Sequence, residues 1–542
     1  MVFESFDHQA LDTTKLFSDY LKWDKGIRGF FPSGDFKSID SYAKCAKLYK
    51  NASQPERDSV ANALRIFNQR FHPTNETLEN IEKLRDSETF TVTTGQQTVL
   101  FGGPLYTFFK AVSVIHLSRV LSQKLSKTVI PVFWMADEDH DYEEISETFI
   151  PSQSDLTKIK LHNHQSGANA AGKIALPDEI QKLHELLGSV LQDTEFKAEV
   201  LKVLSDFWSP GKNWVDAFGC QLMHYFGKYG LVLAGSVDHE IKKLVSPVIK
   251  KAVKHADELE HSLKIVSEEM ASTYHKQATW QGTTLFYHHP EKGRLKISRE
   301  NGQWVTESEK WTTDELLSLV DEKPEIFSPN VFLRPVFQQH LLPNIAYIGG
   351  PSEVAYHAQM KTFFFETGVF SPIIVPRFSA CFVEPAIARI YSEISFEYPD
   401  YKQRIEDLHK KYVKLQDDEN SAAFFKSWRQ EFLDLTKHKK NFLAEKDASL
   451  KGAVQSFEAR TIKEIDKLEQ KLTRALKQKE QVQLKRINRI SEAFFPDSKP
   501  QERKINALYF MGKYGLSFFD DILNQLFNEL DFSTKHQLIF IQ

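Results

Sequence analysis

The chain reads as an α/β protein whose core is a doubly wound parallel sheet. Three features carry that reading. Five short runs are apolar, aromatic or β-branched, as strands covered on both faces are: residues 89–93, 128–135, 231–235, 346–348 and 372–376. Helical periodicity fills the stretches between them, the pattern of crossover connections. Two of the runs lead into a Gly-Gly-Pro turn, at 102–104 and 349–351, before the next helix.

Residues 1–85 carry helical spacing, for example at 12–22 and at 52–69, where Val60, Ala63, Leu64 and Phe67 share one face. Thr89 to Thr93 form the first strand, which runs into the turn Thr94-Gly95-Gln96-Gln97. Pro104 suits a first helical residue. The helix behind it repeats Leu105, Phe108, Phe109, Val112 and Ile115. With the strand at 128–135 this makes a βαβ unit. The later strands are unevenly spaced, which implies inserts. One, about 151–225, reads as mainly helical; the other, about 255–330, contains a hairpin module at 280–306. The core therefore spans 1–385. Over 386–500 Gly and Pro nearly vanish, and Ile465, Leu468, Leu472 and Leu476 recur at helical spacing, which predicts a long helical hairpin or coiled-coil arm. Residues 501–542 regain Phe and Leu and read as helices returning to pack on the core.

Composition narrows the function classes. The 542 residues hold 69 Lys+Arg and 73 Asp+Glu, a net charge of −4, which excludes a chain-wide polycation for coating nucleic acid. At 41% apolar and 26% charged residues, global disorder is excluded too. The charge is uneven. Residues 401–500 contain 23 Lys+Arg and 16 Asp+Glu, leaving the remainder clearly acidic. A solvated helical face is the favoured explanation of that basic arm, and an RNA-binding arm the alternative. Cys45, Cys220 and Cys381 lie far apart with no CxxC, so neither a disulfide framework nor a Cys-rich zinc site is expected. The opening residues have no basic stretch before an apolar run, and no membrane-length apolar run follows. A cytoplasmic protein is the expectation.

Open parallel sheets bind ligands beyond the carboxyl ends of their strands, near the point where the strand order reverses. The residues just after each strand are therefore the site candidates. After the first come Thr94, Gly95, Gln96 and Gln97, with Tyr106 and Lys110 one turn apart on the following helix. Glycines admit an anion to backbone N–H groups, and a helix N-terminus favours it; a snorkelling lysine on an amphipathic helix is the plainer account. Neither GxGxxG nor a Walker loop is present. After the second strand, six of the eight residues 137–144 are acidic: Asp137, Glu138, Asp139, Asp141, Glu143 and Glu144, with His140 among them. Crowded carboxylates raise one another's pKa and can serve as general bases. Holding a cationic amine and base work are favoured over a hard metal such as Mg²⁺. Asp238 follows the third strand, where helix capping explains it equally well. Gly349, Gly350, Ser352, Glu353 and Tyr356 follow the fourth, and Arg377 and Ser379 the fifth, where an arginine could clamp a carboxylate. Polar groups of both signs suit a zwitterionic or sugar-acid substrate.

These same residues resemble a family. Thr94-Gly95-Gln96-Gln97, Gly103-Pro104-Leu105-Tyr106-Thr107 with Lys110, and Pro131-Val132-Phe133-Trp134 running into Glu138-Asp139-His140-Asp141 are similar to the bacillithiol biosynthesis cysteine-adding enzymes, the BshC family. Leu342-Pro343, Tyr347 to Glu353 and Pro376-Arg377 extend the resemblance, which covers essentially the whole chain. It implies a ligase that joins cysteine to the amino group of glucosaminyl-malate, the last step of bacillithiol formation. It further implies a Rossmann-like, class I synthetase-like core with two inserts, and a homodimer formed through the coiled coil. On that reading Glu138, Asp139, His140 and Asp141 would be catalytic, and Arg377 and Lys110 would hold substrate carboxylates. No HIGH-like histidine pair follows the first strand, and no Cys/His set offers zinc. ATP is therefore only a candidate donor, and the cofactor stays open. Small molecules are the expected partners, with neither membrane nor nucleic acid among them.

Overall fold

A computed structural model describes all residues except 12, 50–53, 139–140, 153–154, 163–169, 281, 418–420 and 527–528. Contacts divide the chain into two compact units. One comprises Met1–Phe3, Phe382–Gln501 and Ile539–Gln542, the other Glu4–Cys381 and Glu502–Leu538.

The larger unit is built on five strands: β1 (Phe90–Gln96), β2 (Val129–Met135), β3 (Val232–Ala234), β4 (Asn344–Gly349) and β5 (Ile373–Pro376). All neighbours pair in parallel, in the order β5-β4-β1-β2-β3. This is the Rossmann-like, doubly wound order, with its reversal between β1 and β4. Every residue of β2, β3, β4 and β5 is buried, which is why these runs are continuously apolar rather than alternating. β1 continues to Gln96, past the expected end at Thr93, because Gly95 and Gln96 pair with Trp134 and Met135. The supposed turn residues are thus the strand's own carboxyl end.

Helix α1 (Leu105–Leu125) connects β1 to β2 and is buried on nearly all sides. Its entry is sharp: Phe101, Gly102 and Gly103 have φ of 55°, 85° and 74°. A Cβ on Gly102 would come within 2.8 Å of Gln221, so both conformation and space require glycine there. Pro104 occupies the N-cap rather than the first helical position. Helix α2 (His239–Lys254) follows β3, α3 (Leu333–Leu341) precedes β4, and α4 (Pro351–Gln359) follows β4.

The stretch at 151–225 opens with a strand rather than a helix. Leu156–Lys160 pairs antiparallel with Glu147–Pro151 before the helices Glu179–Val190, Lys197–Phe207 and Trp214–Phe226. Within 255–330, Leu285–His289 pairs with Gly293–Lys296 and with Phe327–Pro329, and a second small sheet joins Ser298–Glu300, Gln303–Val305 and Lys310–Trp311. Two end segments read as helical contain strands instead, Val2–Asp7 and Lys535–Phe540.

The smaller unit contains α5 (Ser421–Lys446), α6 (Leu450–Lys479) and α7 (Gln481–Phe494). Helices α5 and α6 fold back on each other. Ion pairs from Arg429 to Asp466 and Glu469 and from Lys440 to Glu458 tie them together. Few side chains are buried between them, while Phe424, Leu435, Phe442 and Phe457 are each more than half exposed. Among the described residues no helix is long and apolar enough to cross a membrane.

Candidate active site at the carboxyl edge of the sheet

A cavity of about 310 Å³ opens where the strand order reverses. Its floor is the end of β1. Thr94 is buried, and its hydroxyl donates to the Ile348 carbonyl (3.0 Å), stitching β1 to β4. Gly95 is closely surrounded: a Cβ there would lie 3.2 Å from the Tyr347 hydroxyl, which would have to give way. The Gln96 amide donates to the Tyr106 hydroxyl (3.2 Å), and the Gln97 amide to Glu144 (2.8 Å).

Two of the four cations that line this cavity, Lys110 and Arg377, are committed to protein carboxylates. Lys110 is buried on α1 and ion-pairs with Glu353 at 2.7 Å, while also donating to the Gln96 side chain at 3.0 Å. Glu353 further accepts from the Gly350 N–H and from the Tyr347 hydroxyl, each at 2.7 Å. Burial alone would push the Glu353 carboxyl up, but Lys110 and the Gly350 N–H outweigh it and hold the pKa below its usual value. The second Gly-Gly-Pro turn, expected to receive an external anion, thus already carries an internal one. The first is also engaged: the Leu105 N–H donates to the Ile505 carbonyl at 2.8 Å.

Arg377 does clamp a carboxylate, and it is Glu502, held by both guanidinium nitrogens at 2.5 and 3.0 Å. Glu502 also accepts from the Ser379 hydroxyl (2.9 Å) and the Ala380 N–H (3.1 Å). Burial opposes its charge, yet Arg377 outweighs that and brings its pKa down to about 2. Ser379 meets His536 on its other side, at 2.8 Å. Gly349 ends β4, and its carbonyl accepts from the Arg377 N–H. Ser352 is exposed at the rim, while Tyr356 is buried beneath it.

A second cavity, about 410 Å³, lies beyond β2 and β3. Trp134, Ala136, Glu138 and Ser236 form the sheet side, and Phe286, Arg294 and Asn330 line the opposite wall. The acidic segment begins here, and its first two members are spent on the fold. Asp137 is buried and accepts from the N–H groups of Ser236 (3.0 Å) and Val237 (3.2 Å). Burial, with Glu138 adjacent, raises its pKa to about 7. Glu138 binds the ammonium of fully buried Lys242 and the hydroxyl of Ser236. Asp139 and His140 lie outside the described residues. Asp141 is exposed and caps the single turn Tyr142–Ile145, accepting from the Glu144 N–H at 3.2 Å. Glu144 reaches the switch-point cavity instead. Asp238 is the N-cap of α2, accepting from the N–H groups of Glu240 and Ile241. The structure therefore gathers Gly95, Gln96, Gln97, Tyr106, Lys110, Gly350, Ser352, Glu353 and Arg377 at one cavity, and Glu138 at the other.

Sequence reasoning missed Arg334. It sits in the first turn of α3 and lines both cavities. Burial works against its charge, but Tyr356, Tyr347 and Glu353 outweigh burial and hold the guanidinium protonated. Among the described residues no carboxylate lies within ion-pair distance of it. Arg334-Pro335 follows no strand in the sequence and carries no motif, so nothing local marked it.

Comparison with known proteins gives a consistent result. Residues 1–378 match the family model described as bacillithiol biosynthesis BshC, N-terminal Rossmann-like domain, and residues 380–541 match its C-terminal coiled-coil domain. A protein of Koribacter versatilis is 32% identical over 94% of this chain and 95% of its own length. One from Chlorobaculum tepidum is 31% identical over 89% of this chain and 88% of its own length. One from Bacillus cereus strain Q1 is 28% identical over 96% and 97%. All three bear the name "Putative cysteine ligase BshC".

Proposed function

The chain belongs to the bacillithiol biosynthesis BshC family, and from that premise we propose that it joins cysteine to the amino group of glucosaminyl-malate, the last step of bacillithiol formation. The observation that carries this reading is the meeting of two cavities at Arg334, a half-buried cation with no carboxylate within ion-pair distance among the described residues. A ligase for two small acids needs two adjoining pockets and a charge left over for a substrate.

Making an amide requires an activated acyl group and a free amine. Nitrogen attacks the acyl carbon, a C–N bond forms, the bond to the activating group breaks, and the ammonium proton passes to a base. The segment 137–144 is the proposed source of that base. Asp137 and Glu138 are held by the fold, so the proposed base is Asp139 or His140, with Asp141 and Glu144 nearby in sequence. Lys110, Arg377 and the turn residues Gly349 and Gly350 shape the wall against which the malate end would rest. ATP with Mg²⁺ is the activator to test first. The exposed apolar side chains of α5 and α6 support pairing of two copies through the arm, in a cytoplasmic enzyme. A strict monomer by light scattering at micromolar concentration would contradict that pairing.

The test of the reaction is direct. Purified protein is incubated with cysteine and glucosaminyl-malate, with and without ATP and Mg²⁺, and products are read by mass spectrometry. A mass equal to both substrates less one water is expected. No such product under any condition rejects the ligation, and product without ATP rejects ATP as activator.

A further inference from the structure

Resting on the ligation reading and deepening it, we propose that the 410 Å³ cavity beyond β2 and β3 is the subsite for the amino-acid substrate, with its carboxylate directed at Arg334. Three observations point there. The first is the charge balance of that cavity. Glu138 is neutralised by Lys242, while Arg334 has no carboxylate within ion-pair distance among the described residues. Arg294, the other arginine in the wall, lies over the Phe286 ring at 3.9 Å and donates to the Ser328 hydroxyl and the Pro329 carbonyl. An anionic ligand group therefore finds its partner in Arg334.

The second is Trp134. It is fully buried at the carboxyl end of β2, and its indole N–H has no hydrogen-bond acceptor among the described residues. Buried donors are almost always paired. An unpaired one lining a cavity is an invitation to a ligand acceptor, here a carboxylate or sulfur. The third is the position of Arg334 itself, on the boundary of both cavities. A carboxylate drawn to it from the 410 Å³ side brings its carbon to the junction, where, once activated, it would face an amine from the switch-point cavity, the activating group leaving as the C–N bond forms. The other polar lining groups, Ser236, Thr279, Thr283 and Asn330, are neutral, which suits a small zwitterion better than a polyanion.

Two variants of the full chain test this. Val331 lines the cavity and is 37% exposed, so Val331→Trp should fill the space while tolerating the fold. Trp134→Phe keeps an aromatic ring and removes the indole N–H together with the five-membered ring, so its melting temperature is read alongside. Calorimetric titration with L-cysteine under reducing conditions, and with L-serine as the redox-inert isostere, gives the readout, with thermal melting as the control on folding. Val331→Trp is expected to weaken cysteine binding at least tenfold, and Trp134→Phe by about threefold to tenfold, in line with one hydrogen bond. Unaltered cysteine affinity in folded Val331→Trp overturns the proposal; should that variant not fold, unaltered affinity in Trp134→Phe does so. So does a wild-type protein that binds neither amino acid at millimolar concentration. The two readings separate cleanly: cysteine binding lost in Val331→Trp without any ligation product from the wild type keeps the subsite and rejects the ligation. Ligation product with the same cysteine KM in Val331→Trp does the reverse.

Discussion

Arg377 and Arg334 stand near the same edge of one sheet, the first buried and the second half-buried, and they live in opposite circumstances. Arg377 is gripped by Glu502 through two nitrogens, with Ser379 and the Ala380 N–H completing the carboxylate's shell. Arg334 has the Tyr347 and Tyr356 hydroxyls around it, feels Glu353 from beyond ion-pair distance, and makes no ion pair with a carboxylate among the described residues. The first arrangement holds elements together; the second leaves a charge that makes no ion pair among the described residues and that we propose a substrate carboxylate meets. Residue type and position at a strand end do not distinguish the two. The partner does.

Removing a partner should therefore cost most where the pair is internal. Glu502→Ala strands Arg377 inside the protein and is expected to destabilise the larger unit by about 3–5 kcal/mol in denaturant melts. Lys242→Met, which strands Glu138, should follow closely at about 3 kcal/mol. A loss below about 1 kcal/mol in either would erase the distinction. Lys110→Met is milder, at about 2 kcal/mol, because Glu353 keeps the Gly350 N–H and the Tyr347 hydroxyl.

The same pairs set a pH dependence. Glu502 has a folded pKa depressed from 4.5 to about 2. Its stabilising contribution is thus fully present above pH 4.5 and is lost as pH falls toward 2. Thermal midpoints measured from pH 5 down to pH 2 should fall more steeply for the wild type than for Glu502→Gln, and parallel curves would count against the pairing. The smallest effect belongs to Arg334. Arg334→Gln removes a half-buried charge that makes no ion pair among the described residues, so stability should change by less than about 1 kcal/mol.

Much of the fold was readable because it rests on local signals. The five core strands are short, apolar and bounded by Gly and Pro, and all five are found where the pattern placed them, β1 running three residues further. The pairings were not readable. Arg377 and Glu502 are 125 residues apart, and Lys242 and Glu138 are 104 apart, so no spacing rule links them. For that reason the cations and acids at strand ends all looked alike in sequence, and Lys110, Arg377 and Glu353 read as ligand groups although each has a protein partner. The end strands Val2–Asp7 and Lys535–Phe540 were missed because six residues are too few to tell a period of two from one of 3.6. Arg334 was missed because its importance lies in what it lacks.

The most direct test of this account is the ligation rate of Arg334→Gln set beside its melting temperature. The account predicts an unchanged melt with kcat/KM for cysteine and glucosaminyl-malate reduced by about tenfold to a hundredfold or more, the loss of one charge-assisted contact to substrate. A folded Arg334→Gln that turns over like the wild type would contradict it.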